Sequence, residues 1–387
     1  MKLTKNINFQ NFDKKVKLNN VKNKLQNILK TKNQIFDSLG SKYKYSYSKK
    51  FTNKLKKKIT NFRIIGIGGS ILGFKAIYNF LYYKIKRKVE FVDNLKTNFT
   101  NNFKNKKNFN LVISKSGNTL ETLTNVNLLL NKKDCNVFVT QRNPSYLRSL
   151  AEKMKAEIID HNNFIGGRYS VLSEVGMLPA SLVGLQEKKF KQLNYLIKNK
   201  NFINALIKNV SNILFFIKKK KFNSVIINFD ENSNDFFKWY QQLIAESLGK
   251  KQKGIFPLIS TMPKDNHSLM QLYLDGPKKN FYTFFSVSDK NSIKLKSSEL
   301  LQSHLFLKNK SLNDILRSQK KATENIFMKK KIDFRSFEIL KRDEESLGEL
   351  FCFFILETIL LGRMLNVNPF DQPSVELIKS ETKKILI

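Results

Sequence analysis

Two turns rich in glycine and hydroxyl side chains hold the residues best placed for chemistry. The first, Gly66-Ile67-Gly68-Gly69-Ser70-Ile71-Leu72-Gly73, follows the apolar stretch Arg63-Ile64-Ile65. Glycine lets the main chain come close to a ligand, and a helix starting here would aim its free N–H groups at an anion. Asp93 stands about where a dinucleotide-binding fold keeps its ribose acceptor. However, four residues separate Gly68 from Gly73 where that fingerprint has two. Taken alone, the turn reads equally as a tight connection between strand and helix. The second, Ser114-Lys115-Ser116-Gly117-Asn118-Thr119, follows Leu111-Val112-Ile113 and opens a helix, with Asn118 and Glu121 spaced as an N-cap pair. Three hydroxyls, an ammonium and unpaired amides at the positive end of a helix dipole suit a phosphate monoester. The spacing of a nucleotide P-loop is absent.

These turns need strands and helices to hold them, and the sequence alternates accordingly. Segments 63–65, 89–93, 111–113 and 136–140 predict strands, with a helix through 76–81. A polar, lysine-rich interval at 186–208 precedes a second set, with strands at 224–229, 255–259 and 281–287 and helices over 235–248 and 345–361. This rhythm predicts an α/β fold of two doubly wound, parallel-sheet lobes, each a three-layer αβα sandwich. The expected division is residues 1–190 for an N-terminal segment and first lobe, and 191–365 for the second lobe. A C-terminal loop and helix over 366–387 would complete the active site, with Pro373 at the first helical position.

Composition narrows the function classes. A chain of 387 residues suggests two or three domains, and 41% hydrophobic residues with 33 Phe exclude wholesale disorder. Cys135 and Cys352 lie far apart and form no CxxC pair, so neither a disulfide framework nor a thiolate zinc site is expected. The formal net charge of +39 comes from 61 Lys and 9 Arg spread along the chain in short runs. Nucleic-acid readers concentrate Arg and interleave aromatics on one face. A solvated surface is therefore expected, with no specific nucleic-acid partner, although a positive field would speed the approach of an anionic substrate. No apolar leader core follows Met1, and the longest strongly apolar run, Leu350 to Leu356, is stopped by Glu357 well short of a membrane span. The expected location is the cytoplasm.

The two turns resemble the sugar-phosphate loops of the glucose-6-phosphate isomerase (phosphoglucose isomerase) family. Four further segments match in the family's order: Gly166-Gly167-Arg168-Tyr169-Ser170, Ala245-Glu246-Ser247-Leu248-Gly249-Lys250, Asn266-His267-Ser268-Leu269-Met270-Gln271-Leu272, and Asp371-Gln372-Pro373-Ser374-Val375-Glu376-Leu377-Ile378-Lys379. The resemblance implies two sugar-isomerase (SIS) lobes, a homodimer, and interconversion of glucose 6-phosphate and fructose 6-phosphate in glycolysis and gluconeogenesis. It implies no metal or organic cofactor. Gly69, Ser70, Ser114, Ser116, Thr119 and Gln372 would bind the sugar phosphate. Glu246 would shuttle the proton, Arg168 would stabilise the enediolate, and His267 and Lys379 would assist ring opening, His267 from across the dimer interface.

Each implied role has a physical counterpart. Glu246 ends an amphipathic helix, where the negative end of the macrodipole strengthens a carboxylate as a proton acceptor, and Gly249 reads as the C′ glycine. Arg168 keeps its charge at any working pH and follows two glycines that admit close approach. His267 is one of three histidines, and its imidazole suits proton transfer near neutrality; His161 and His304 read as structural. Ser374 and Ile378 depart from the family's usual residues beside Lys379, and Ile71 departs from the small or polar residue after the Gly-Gly-Ser turn. Two other readings share the fold: a bifunctional isomerase that also takes mannose 6-phosphate, and a non-catalytic sugar-phosphate sensor. A sensor needs the hydroxyl loop but has no use for Glu246, Arg168, His267 and Lys379 together.

Overall fold

The computed structural model describes residues 2–97, 107–289, 292–296 and 300–387. Among these residues ten strands form two five-stranded sheets. Strand β1 (Ile7–Gln10) comes first; β2 (Asn61–Ile65), β3 (Val89–Val92), β4 (Asn108–Ile113), β5 (Cys135–Thr140) and β6 (Glu157–Asp160) make the first sheet. Its order is β3-β2-β4-β5-β6, and all its pairings are parallel. The second sheet contains β7 (Asn223–Asn228), β8 (Phe256–Thr261), β9 (Asn280–Val287) and β10 (Phe334–Ile339), in the order β1-β10-β9-β7-β8. It is parallel except for β1, which runs antiparallel to β10, so the first residues of the chain lie in the second sheet. The expectation of two doubly wound parallel sheets is met.

Both faces of these sheets are covered, which explains why strands such as Leu111-Val112-Ile113 are apolar without alternation. In β2, Phe62 and Ile64 face the main core, which continues into the second lobe through Phe236, Phe351 and Phe354. Ile65, with Val112 and Phe138, packs on the opposite face. Each sheet reverses its direction of winding once, between β2 and β4 in the first and between β7 and β9 in the second. The two turns singled out above follow β2 and β4, and therefore flank the first switch point, where open α/β sheets bind ligands.

The interval read as polar runs into a helix, Lys200–Lys218, whose first half it supplies. Its lysines face water, while Phe202, Leu206, Val210, Ile213 and Phe216 form a buried stripe. Strands β1, β6 and β10 were also unanticipated. The lobes are clasped where Arg342 bonds Asp230 and Asp289 and donates to the Phe80 carbonyl at 3.3 Å. The Leu72–Phe80 helix of the first lobe packs beside the Asn234–Leu248 helix of the second, and Asn79 bonds Asp235 between them. Among the described residues no helix is long and apolar enough to cross a membrane.

Candidate active site

The first turn leaves β2 with the Gly66 N–H bonded to the Val92 carbonyl, then forms a short 3₁₀ turn, Gly68–Ser70. Gly68 has φ +56° and faces Gln242. Gly69 is buried against another main chain: a Cβ there would stand 2.2 Å from the Gly167 carbonyl carbon. The double glycine thus seats the first turn on the 3₁₀ turn Gly167–Leu172 that carries Arg168. Ser70, partly exposed, ends the turn.

The second turn follows β4. Ser114 is buried, with its hydroxyl 3.1 Å from that of Thr119, while Ser116 is exposed and its oxygen accepts from the Asn118 N–H. Gly117 has φ +66° and is crowded by Ser145. Thr119, rather than Asn118, occupies the N-cap of the Leu120–Leu129 helix, without a side-chain cap bond. Asn118 instead turns its carbonyl oxygen to the Tyr146 N–H at 3.0 Å. The expected capping pair is therefore not formed, and the helix's first N–H groups remain free of a side-chain acceptor. Burial lowers the proton affinity of the Lys115 ammonium, and the charge of Arg168 adds to the effect.

Arg168 is the hub. Only 2% exposed, it directs all five guanidinium N–H groups at protein oxygens. Nε donates to Ser247 Oγ at 2.8 Å, and Nη1 donates to Glu246 Oε2 at 3.1 Å and to the Gln372 side chain. Nη2 donates to the Pro369 and Asp371 carbonyls at 2.7 and 3.0 Å. Below it the Trp239 indole N–H bonds the Arg168 carbonyl, and the Tyr169 hydroxyl bridges Ser247 and Pro369.

Glu246 has its other oxygen, Oε1, bonded to Gln242 Nε2 at 3.0 Å, one helical turn earlier. Its carboxylate is partly open, at the edge of a cavity of about 650 Å³ that Phe222, Phe256 and Pro257 help to line. Gly249 does not adopt the left-handed conformation expected of a C′ glycine; its φ is −72°. What excludes a side chain there is contact, since a Cβ would lie 2.7 Å from the Ala245 carbonyl oxygen.

Arg168, Glu246, Gln372, Gly69 and the hydroxyl loop are thus gathered at the carboxyl end of the first sheet. Among the described residues no hydrogen bond or ion pair joins His267 or Lys379 to them. His267 is exposed on the 3₁₀ turn Lys264–His267 after β8, a turn held by Asp265 through the Thr261 N–H and the Ser260 and Ser268 hydroxyls. Lys379 lies on the Pro373–Leu386 helix, none of whose residues is buried, and pairs with Glu376 on the same helix at 2.6 Å. Pro373 does open that helix, as expected. Sequence reasoning missed Gln242 and Ser247. Gln242 could have been found from its i, i+4 spacing to Glu246; Ser247 stands in a matched segment, but nothing there marks it as a partner of Arg168.

The family model for phosphoglucose isomerase matches residues 10–387. The chain belongs to the phosphoglucose isomerase family. The family's relatives include glucose-6-phosphate isomerase of Methanocaldococcus jannaschii, 33% identical over 344 residues covering 84% of this chain and 83% of that one. Glucose-6-phosphate isomerase of Mycoplasmopsis pulmonis is 35% identical over 351 residues, with 84% and 82% covered. Among solved structures, a protein of Thermus thermophilus superposes with a TM-score of 0.81 at 22% identity, over 95% of this chain and 94% of that one. A glucose-6-phosphate isomerase of Chlamydia trachomatis gives 0.70 at 19% identity, covering 87% and 71%. Family membership and fold agree with the two-lobed, parallel-sheet architecture built above.

Proposed function

We infer that this chain interconverts glucose 6-phosphate and fructose 6-phosphate through an enediol. The observation that carries the reading is the setting of Glu246, held between Arg168 and Gln242 and joined through Gly68 and Gly69 to the turns at the first switch point. The hydroxyls of Ser70, Ser114, Ser116 and Thr119 and the free amides of their loops hold the phosphate. Gln372 and the Gly69 main chain border the sugar. His267 and Lys379 assist ring opening, and Glu246 takes the proton from C2 and returns it to C1. As the C2–H electrons form the C1–C2 double bond, negative charge grows on the carbonyl oxygen. Arg168 stabilises that charge through its field, since its N–H groups already have partners in the free enzyme. Among the described residues no hydrogen bond or ion pair joins His267 to this cluster within its own chain, which supports the reading that a second copy supplies it in a homodimer.

The experiment is a coupled assay on the purified protein with each hexose 6-phosphate. Turnover of glucose 6-phosphate should fall at least about a hundredfold in Glu246→Gln, while binding of a 6-phosphate inhibitor persists. Near-normal turnover in that variant would move the proton shuttle elsewhere, and binding without turnover in the parent protein would favour a sensor.

A further inference from the structure

The Leu312–Lys329 helix lies on the face of the second sheet turned away from the main core. A helix covering a sheet ordinarily meets it with apolar side chains. The C-terminal half of this helix does so, through Phe327 against Phe284 and Phe334. Its N-terminal half adds Leu316 to that apolar packing, and beside Leu316 it turns charged side chains toward the sheet. Arg317, Lys320, Lys321 and Glu324 follow one another at the spacing of a single helix face, and the sheet opposite them is equally polar. Strand register places Asn8, Glu338 and Ser286 in one row across β1, β10 and β9, and Gln10 beside Ser336 in another. Between helix and sheet lies a cleft of about 640 Å³, within the size range of small-molecule sites. Its floor is shielded: Ser286, Ser336 and Glu324 are 7%, 6% and 7% exposed.

The charges in the cleft are only partly matched. Glu338 accepts from Arg317 at 3.0 Å and from Asn8 at 3.1 Å; Glu324 accepts from Lys320 and Ser336, both at 2.7 Å. Lys2 and Lys321 also line the cleft, and neither ammonium has a carboxylate partner among the described residues. Two free cations suit an anion, and the carboxylate, amide and hydroxyl groups beside them suit a polyhydroxylated body. Position agrees with chemistry, because the cleft follows the carboxyl half of β9 and β10, next to the second switch point. At that switch point itself Arg342 closes on Asp230 and Asp289, and only about 70 Å³ remains open. The two openings share Ser286 and Arg317.

We propose that this cleft is a second small-ligand site, for a hydroxylated phosphomonoester, separate from the candidate active site. It stands independently of the isomerase reading. The test is titration calorimetry on the full chain carrying Ser114→Ala, Ser116→Ala and Thr119→Ala, which disables the first phosphate loop. Glycerol 3-phosphate and inorganic phosphate are the probes. Glycerol 3-phosphate should bind with one equivalent per chain, and more tightly than inorganic phosphate. Adding Arg317→Met and Lys321→Glu, both on exposed side chains, should weaken it at least tenfold with the melting temperature unchanged. No binding of glycerol 3-phosphate, or equal affinity in the charge-altered variant, overturns the site. Equal affinity for the two probes overturns the ligand class, because it would reveal a bare anion sink.

Discussion

Glu246 is gripped by two donors of different kinds. Arg168 is a buried charge whose loss would also free Ser247 and the 369–372 segment, whereas Gln242 is neutral and touches the carboxylate from its own helix. Gln242→Leu therefore isolates the positioning of the proposed base. Hydrogen bonds to charged groups contribute about 1.5–3 kcal/mol, so kcat should fall roughly tenfold or more with KM little changed; steady-state kinetics decide this. A second residue-scale case is Lys191, whose ammonium donates to the Ser38 and Leu172 carbonyls and lies 4.8 Å from the Tyr43 and Tyr45 ring centres. Burial pushes it down to about 7, against the opposing pull of Glu174 and Glu187. Between pH 7 and an ordinary lysine value near 10.5 the unfolded chain holds more protons than the folded one, so stability climbs with pH in that window. Urea titrations should show that climb, of order 3–5 kcal/mol, in the parent protein and its loss in Lys191→Met. Chemistry at this scale was half legible in the sequence. The two turns announced themselves by composition, and His161, read as structural, is buried, with burial pushing its imidazole down to about 4. The contact of Arg168 with Glu246, 78 positions apart, is a product of folding; spacing alone could not show it.

Elements were easiest to read where both faces are buried, as in β4, β5 and β7, whose apolar runs leave little ambiguity. They were hardest where charge sits inside. Strand β10 carries Arg335, wholly buried, and the carboxylate that neutralises it, Glu357, lies 22 positions on, in the Glu344–Met364 helix. A reader of residues 334–339 alone meets a charged segment. The four-residue β1 acquires its identity only by pairing with β10, more than 300 positions away. The Lys200–Lys218 helix was obscured by lysines that its geometry turns outward. The double glycine shows the converse, since its reason is contact between elements. Gly69→Ala should force the first turn off the Arg168 turn, costing about 1–3 kcal/mol in denaturant titration and most of the activity, with Gly166→Ala as a milder control because its nearest atom is 3.7 Å away.

At the scale of the whole molecule, the proposed homodimer with His267 reaching across it is testable. Glu246→Gln and His267→Ala homodimers should each be nearly inactive. Refolded together, about half of randomly paired dimers are mixed, and one site in each of these receives two intact residues. Roughly a quarter of all sites should then recover, as a coupled assay would register. No recovery in heterodimers confirmed by mass would place both residues in one chain. The arrangement around Arg168 has a further consequence. The guanidinium that holds the base also holds Pro369, Asp371 and Gln372, at the root of a C-terminal helix with no buried residue. That helix is a protease-accessible handle fastened at its root by the proposed proton-transfer site. Its rate of tryptic clipping, followed by mass, becomes a reporter of how firmly the base is set, readable in variants too inactive to assay.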